Sequence, residues 1–207
     1  MEAFGTAQMC AVFECDSGDA ALKHPSTHQL FAHWNRQRGN ARVPELGDIE
    51  RYAMRELPGH GFVLSCAAGY PFRVAGRRIC ARFGYDLTNH EFPALFDEAS
   101  RHDAEELVAL VGDEMIPAVT GINTTTSDGT QARLELLLLP CRVDAQVPIS
   151  LAGVLAPLPG NGGLLGKLTL SSWRFIDPPL QECARRNVHR RSLAHGLVVY
   201  DGTAPAL

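Results

Sequence analysis

The chain has 207 residues, of which 45% are hydrophobic and 20% charged, and a formal net charge of -4. That length holds one well-filled domain with a small appendage, and the charge balance implies no general attraction to nucleic acid. The cysteines Cys10, Cys15, Cys66, Cys80, Cys141 and Cys183 are scattered without a Cys-x-x-Cys pair, which points away from a zinc site and toward reduced thiols. Acidic Glu2, Glu14 and Asp16 near the start do not make a secretory signal, and no run of about 18 apolar residues predicts a transmembrane helix. The expected location is the cytoplasm.

Residues 1–24 form an N-terminal extension with apolar Phe4, Met9, Val12 and Phe13 before a turn-like Asp16-Ser17-Gly18-Asp19, expected as a short element lying on the domain. Ser26 with Gln29 makes a capping-box pattern for a helix whose Leu30, Phe31 and Trp34 form an apolar stripe and which Gly39 stops. Asp48 can cap a second helix carrying Ile49, Tyr52, Ala53 and Leu57. Gly61–Ala67 reads as a strand, and a turn through Gly69 leads to a second, with Phe72 and Val74 on one face and Arg73 on the other. Gly76 opens a short helix that Gly84 closes in the left-handed conformation.

Phe92, Leu95 and Phe96 anchor short helical pieces. Ser100 and Asp103 open a longer helix in which Ala104, Leu107, Val108, Val111 and Met115 keep helical spacing; Gly112 weakens it by about 1 kcal/mol relative to alanine. Three strands follow: Ala118–Thr126, then Gln131–Arg142 after an Asp128-Gly129 turn, and Pro148–Ala156 after a turn at Asp144-Ala145-Gln146. In the middle strand Leu134, Leu136 and Leu138 share the face expected to meet the core, opposite Arg133 and Glu135. Leu137 and Leu139 break that alternation, so either the N-terminal segment or a partner subunit must cover the second face. The glycines around Asn161 signal a linker, Leu164–Ile176 reads as one more amphipathic segment, and Arg185, Arg186, Arg190 and Arg191 as a solvated helix face.

This order of elements is that of an α+β domain with helices packed on one face of an antiparallel sheet. At Tyr70-Pro71-Phe72-Arg73-Val74-Ala75-Gly76, and again at Phe83-Gly84-Tyr85-Asp86-Leu87-Thr88-Asn89, the sequence resembles a PAS domain. The resemblance is to the short alphaproteobacterial PAS-like group with an (F/Y)R(V/L)AG…G…(D/E)LT core; Asn89 stands where that group usually has glycine. Leu134–Pro140 and Leu151–Pro157 are similar to its last two strands. The resemblance implies a PAS-like five-stranded sheet over residues 25–157, with 158–207 as linker and C-terminal extension.

It also implies a cavity between the sheet and the short helices, lined by Phe72, Val74, Ile79, Leu87, Phe92, Phe96, Leu136 and Leu138. Apolar walls of this kind build either a small-molecule pocket or a filled core. Arg73 could hold an anionic ligand, but pairing with a sheet-face acid such as Glu135 is the plainer reading. No cofactor is expected. Haem would need His90 or His102 as axial ligand, and both read as solvated residues; Cys80 lacks the neighbours found in flavin-binding PAS relatives. The expected function is sensory or regulatory, through a small ligand or a signalling partner such as a histidine kinase or another PAS protein.

One rival is a ligand-free interaction module, with Trp34, Leu137 and Leu139 forming a homodimer interface. The other is a small enzyme using Cys141 or Cys66 as thiolate. The chain has no Gly-x-Ser-x-Gly, no His-Glu-x-x-His and no P-loop lysine, so no enzymatic activity is expected. Neither nucleic acid nor a membrane is expected as partner.

Overall fold

The computed structural model describes residues 22–143, 149–159, 163–176, 188–192 and 198–202. Helices α1 (Pro25–Arg38), α2 (Leu46–Arg55), α3 (Arg77–Phe83) and α4 (Glu98–Glu114) are joined to strands β1 (Gly61–Leu64), β2 (Phe72–Ala75), β3 (Ala118–Thr126), β4 (Gln131–Cys141), β5 (Ser150–Pro157), β6 (Leu165–Phe175), β7 (Val188–Ser192) and β8 (Val198–Gly202). β1 to β6 form one antiparallel sheet in the order β2-β1-β5-β4-β3-β6. The Asp128-Gly129 turn, with Gly129 at φ 81°, joins β3 to β4 as the sequence predicts.

The sheet has six strands where five were expected. The sixth is the amphipathic run Leu165–Phe175, whose buried Leu165 and Leu168 are separated by exposed Gly166 and Lys167. It pairs along β3 from Thr126 to Ala118. Without it, β3 would end the sheet with a row of unpaired backbone groups.

Helices cover both faces rather than one. On the inner face, α3 and α4 enclose a core of Phe62, Phe72, Phe92, Phe96, Leu107 and Leu136 with their neighbours. On the outer face, α1 and α2 lay Leu30, Trp34, Ile49 and Ala53 against Val63, Leu137, Leu139 and Val154. Each large apolar side chain buried in this way contributes about 1.5–3 kcal/mol. The Trp34 indole N–H, buried with its ring, donates to the Pro140 carbonyl at 2.8 Å. His33 of α1 stacks on Tyr52 of α2, with ring centroids 3.9 Å apart.

Local chemistry moves some boundaries. α1 starts at Pro25, because His24 caps it with Nδ1 accepting from the Ser26 N–H at 3.0 Å. α4 starts at Glu98, capped by Asp97, whose Oδ1 accepts from the Ser100 N–H at 2.8 Å. Gly84 closes α3 at φ 81° and Asn89 sits at φ 65°, the left-handed position that asparagine tolerates.

β7 and β8 pair with each other as a separate two-stranded sheet. Arg190 and Arg191 therefore lie on a strand, which corrects the helical reading of that stretch. Arg185, Arg186, the Asp144-Ala145-Gln146 turn and residues 1–21 lie outside the described residues.

Candidate functional site

The residues expected to line a cavity divide between the two faces. Phe72, Ile79, Leu87, Phe92, Phe96, Leu136 and Leu138 come together in the inner core, each 3% exposed or less. Val74 does not join them. β2 has a bulge, in which Val63 faces Val74 and Leu64 faces Phe72, leaving Arg73 as the extra residue. The strict alternation that would place Phe72 and Val74 together is therefore broken, and Val74 packs into the outer layer.

The inner space is occupied by aromatic rings. Phe62 meets Phe72 with centroids 5.5 Å apart, Phe92 lies 6.0 Å from Phe62 and 5.9 Å from Phe72, and Phe96 lies 5.3 Å from Phe92. These spacings are those of packed aromatic pairs. Gly153 makes the arrangement possible: it faces Phe62 across the β1–β5 ladder, where a Cβ would overlap the Phe62 ring and lie 2.8 Å from the Leu137 carbonyl oxygen.

The polar candidates fall on the surface. Arg73 pairs with Glu50 of α2 at 3.0 Å rather than with Glu135. His90 and His102 are both exposed, the former with its ring 5.0 Å from Tyr85, so neither reaches the inner core as a haem ligand would. Burial pushes the Cys66 thiol up to about 11, with the Asp113 charge adding to the effect, and the Cys141 thiol up to about 12. Both are thiols rather than thiolates at neutral pH.

Trp34, Leu137 and Leu139 are each 0% exposed beneath the chain's own helices. They are core residues, which corrects their assignment to a homodimer interface; the second sheet face is covered by α1 and α2 rather than by the 1–24 segment or a partner subunit. That cover is partial. Along the outer face of β4, Leu137 and Leu139 lie under the helices, whereas Arg133 is exposed and borders a cavity.

Glu135 sits at the boundary and is 3% exposed. Its carboxylate accepts from the backbone N–H of Lys23 at 2.8 Å and of His24 at 2.9 Å, and from the Thr27 hydroxyl. A β4 carboxylate thus fixes the N-terminus of α1, where unpaired N–H groups and the helix dipole favour negative charge. Beside it, His24 and His60 meet edge to face with centroids 5.6 Å apart. Burial, aided by the nearby His24, Arg78 and Arg82, lowers His60 to about 4.

Beyond Glu135 the outer face of β3, β4 and β6 forms an open groove of about 540 Å³, bordered by Lys23, Asn123, Arg133, Glu135, Ser171 and Arg174. A second cavity of about 570 Å³ adjoins it and shares Asn123, Arg133 and Leu158. Neither is lined by the inner-core phenylalanines. The Asn123 amide donates to Ser171 Oγ at 2.8 Å across the groove floor. Among the described residues, three cationic side chains and one carboxylate border the groove, and that carboxylate is engaged by α1. Sequence reasoning missed this site, although a signal was present: the outer face of β4 changes from Arg133 and Glu135 to Leu137 and Leu139 within one strand.

Among the described residues no group of three His, Cys, Asp or Glu side chains could hold a metal ion, and no helix is long and apolar enough to cross a membrane. The search of curated proteins found no match. Two solved structures match the chain: a LOV protein of Rhodobacter sphaeroides (12% identity, TM-score 0.43, 54% of this chain and 65% of that one) and the RsLOV d2 variant (11% identity, TM-score 0.44, 68% and 71%). The likeness thus spans less than two thirds of the first of these chains. A family model described as PAS domain matches residues 22–156, from the start of the described N-terminus through β5. With its antiparallel sheet, the α3 unit between Gly76 and Gly84, and a match over well more than half its length, the chain belongs to the PAS domain family.

Proposed function

We propose that this protein is a regulatory PAS module that signals by contact with a partner protein, without a preformed small-molecule chamber. The observation that carries this reading is the filled inner face, where Phe62, Phe72, Phe92 and Phe96 occupy the space between sheet and helices. A haem or flavin there would have to displace several of these rings, each worth about 1.5–3 kcal/mol of burial. The residues present do not fit either group. A thiol-dependent enzyme is equally disfavoured, because Cys66 and Cys141 hold their protons at neutral pH.

The PAS fold is that of sensory signalling modules, and with the inner face closed the signal must pass through the surface. A histidine kinase or another PAS protein is the partner class we assign, with the cytoplasm as the compartment. Native mass spectrometry of the purified protein, with an absorption spectrum of the same sample, tests the reading. A mass matching the polypeptide and no visible band are expected. Stoichiometric extra mass, or a visible chromophore, would overturn it in favour of a ligand sensor.

A further inference from the structure

The outer groove follows a strand. Its two adjoining cavities border β4 from Gln131 to Glu135, four residue steps or about 14 Å of extended chain. A trough of that length takes four or five residues of extended peptide, where a compact small molecule would leave most of it empty. Its charge narrows the choice further. Arg133 and Lys23 are exposed at the border, and among the described residues their hydrogen bonds run through backbone atoms: the Arg133 carbonyl accepts from Leu158, and the Lys23 N–H donates to Glu135. No ion pair among the described residues holds either side chain. We propose that the outer groove of β3, β4 and β6 docks an extended acidic segment of the partner protein, whose carboxylates pair with Arg133 and Lys23. This rests on the partner-contact reading and names the surface and the chemistry of that contact.

Spacing and floor both suit such a segment. Glu135 holds the Lys23 N–H, and it lies two residues along β4 from Arg133. The two cations are therefore rooted one same-face step, or about 7 Å, apart along the strand. Every second side chain of an extended peptide falls on one face at that interval. Between the cations and β6 the floor is low, because β3 has exposed Gly121 opposite Glu135. A Cβ at this position would lie 3.7 Å from Ser171, an ordinary contact, so packing does not demand the glycine. Glycine inside a strand weakens it, and one use for it is the close approach of another backbone. Beside Gly121 the Asn123 amide and the Ser171 hydroxyl, linked at 2.8 Å, offer partners to peptide groups. The Glu135 carboxylate is engaged by α1, which limits its repulsion of an incoming acid.

The probe is a dansyl-labelled octapeptide of alternating glutamate and threonine, titrated by fluorescence anisotropy into the full chain at low salt. The matched glutamine–threonine peptide and an eight-nucleotide thymidine strand serve as comparisons. The glutamate peptide should bind about three- to tenfold more tightly than the glutamine peptide. Arg133→Glu should weaken it about three- to fivefold, and Gly121→Ala about twofold with no fall in the thermal midpoint, which separates loss of the floor from loss of the fold. Salt at 1 M should suppress binding as the Debye length falls to about 3 Å. An affinity indifferent to charge at position 133, equal binding of the glutamine peptide, tighter binding of the thymidine strand, or no binding at about 1 mM peptide would each overturn the proposal. Such a failure is distinct from that of the partner-contact reading, which extra mass or a visible band removes, because the titration reads the groove alone.

Discussion

Replacing Glu135 by alanine should strongly destabilise the outer face. The carboxylate accepts from two backbone N–H groups and the Thr27 hydroxyl, and it is 3% exposed, so water cannot take its place without opening the α1 junction. Hydrogen bonds to a charged acceptor contribute about 1.5–3 kcal/mol each. They are not additive, and the helix dipole contributes a further fraction. Allowing for partial relaxation, Glu135→Ala should cost about 3–5 kcal/mol, a large share of the roughly 5–15 kcal/mol that stabilises a domain. Glu135→Gln keeps one carbonyl acceptor and should cost about half as much.

Urea denaturation followed by tryptophan fluorescence reads this directly, since Trp34 lies in the affected helix and is fully buried. A Thr27→Val partner completes a double-mutant cycle, with a coupling of at least about 0.5 kcal/mol expected. If Glu135→Ala lies within about 0.5 kcal/mol of the parent, the carboxylate does not hold α1 and the reasoning fails.

Three further outcomes are expected. His60 has a folded pKa of about 4 against 6.5 unfolded, so the unfolded chain takes up the proton first. The stability from neutral His60, up to about 3 kcal/mol, is then full above pH 6.5 and lost as pH falls toward 4; His60→Phe should flatten this part of the denaturation profile, and an unchanged slope would refute the assignment. Gly153→Ala should destabilise the fold by about 1–3 kcal/mol through overpacking against Phe62, whereas a neutral result in a thermal melt would mean that β5 can shift. In iodoacetamide labelling at pH 7.5, Cys66 and Cys141 should stay unmodified until the chain is denatured, and rapid native labelling of either would reopen the thiol-enzyme reading.

The inner core was legible because its signals are local and periodic. Leu134, Leu136 and Leu138 alternate along one strand, and Gly76 and Gly84 bracket one short helix. Where the reading went astray, a non-local term decided. The β2 bulge depends on how β1 pairs, so nothing within Phe72-Arg73-Val74 announces that Val74 turns to the other layer. Arg73 likewise finds Glu50 because α2 packs on β1, the strand beside β2, and Glu135 was already committed to α1. Leu165–Phe175 carries mixed apolar spacing, and only the vacant edge of β3 makes it a strand.

Leu137 and Leu139 were correctly read as needing cover, but sequence alone offered two candidates for it. The structure supplies a cover that neither candidate named: α1 and α2, from within the domain, bury both leucines completely. That choice has a consequence for signalling. Once the chain's own helices occupy the apolar half of the outer face, what remains among the described residues is a polar groove bordered by Arg133 and Arg174. On the proposed partner-contact reading, a partner using this groove would be selected by charge rather than by apolar area, and its binding should weaken with salt. Glu135 joins the two halves: the same carboxylate that ties α1 to β4 fixes where Lys23 enters the groove.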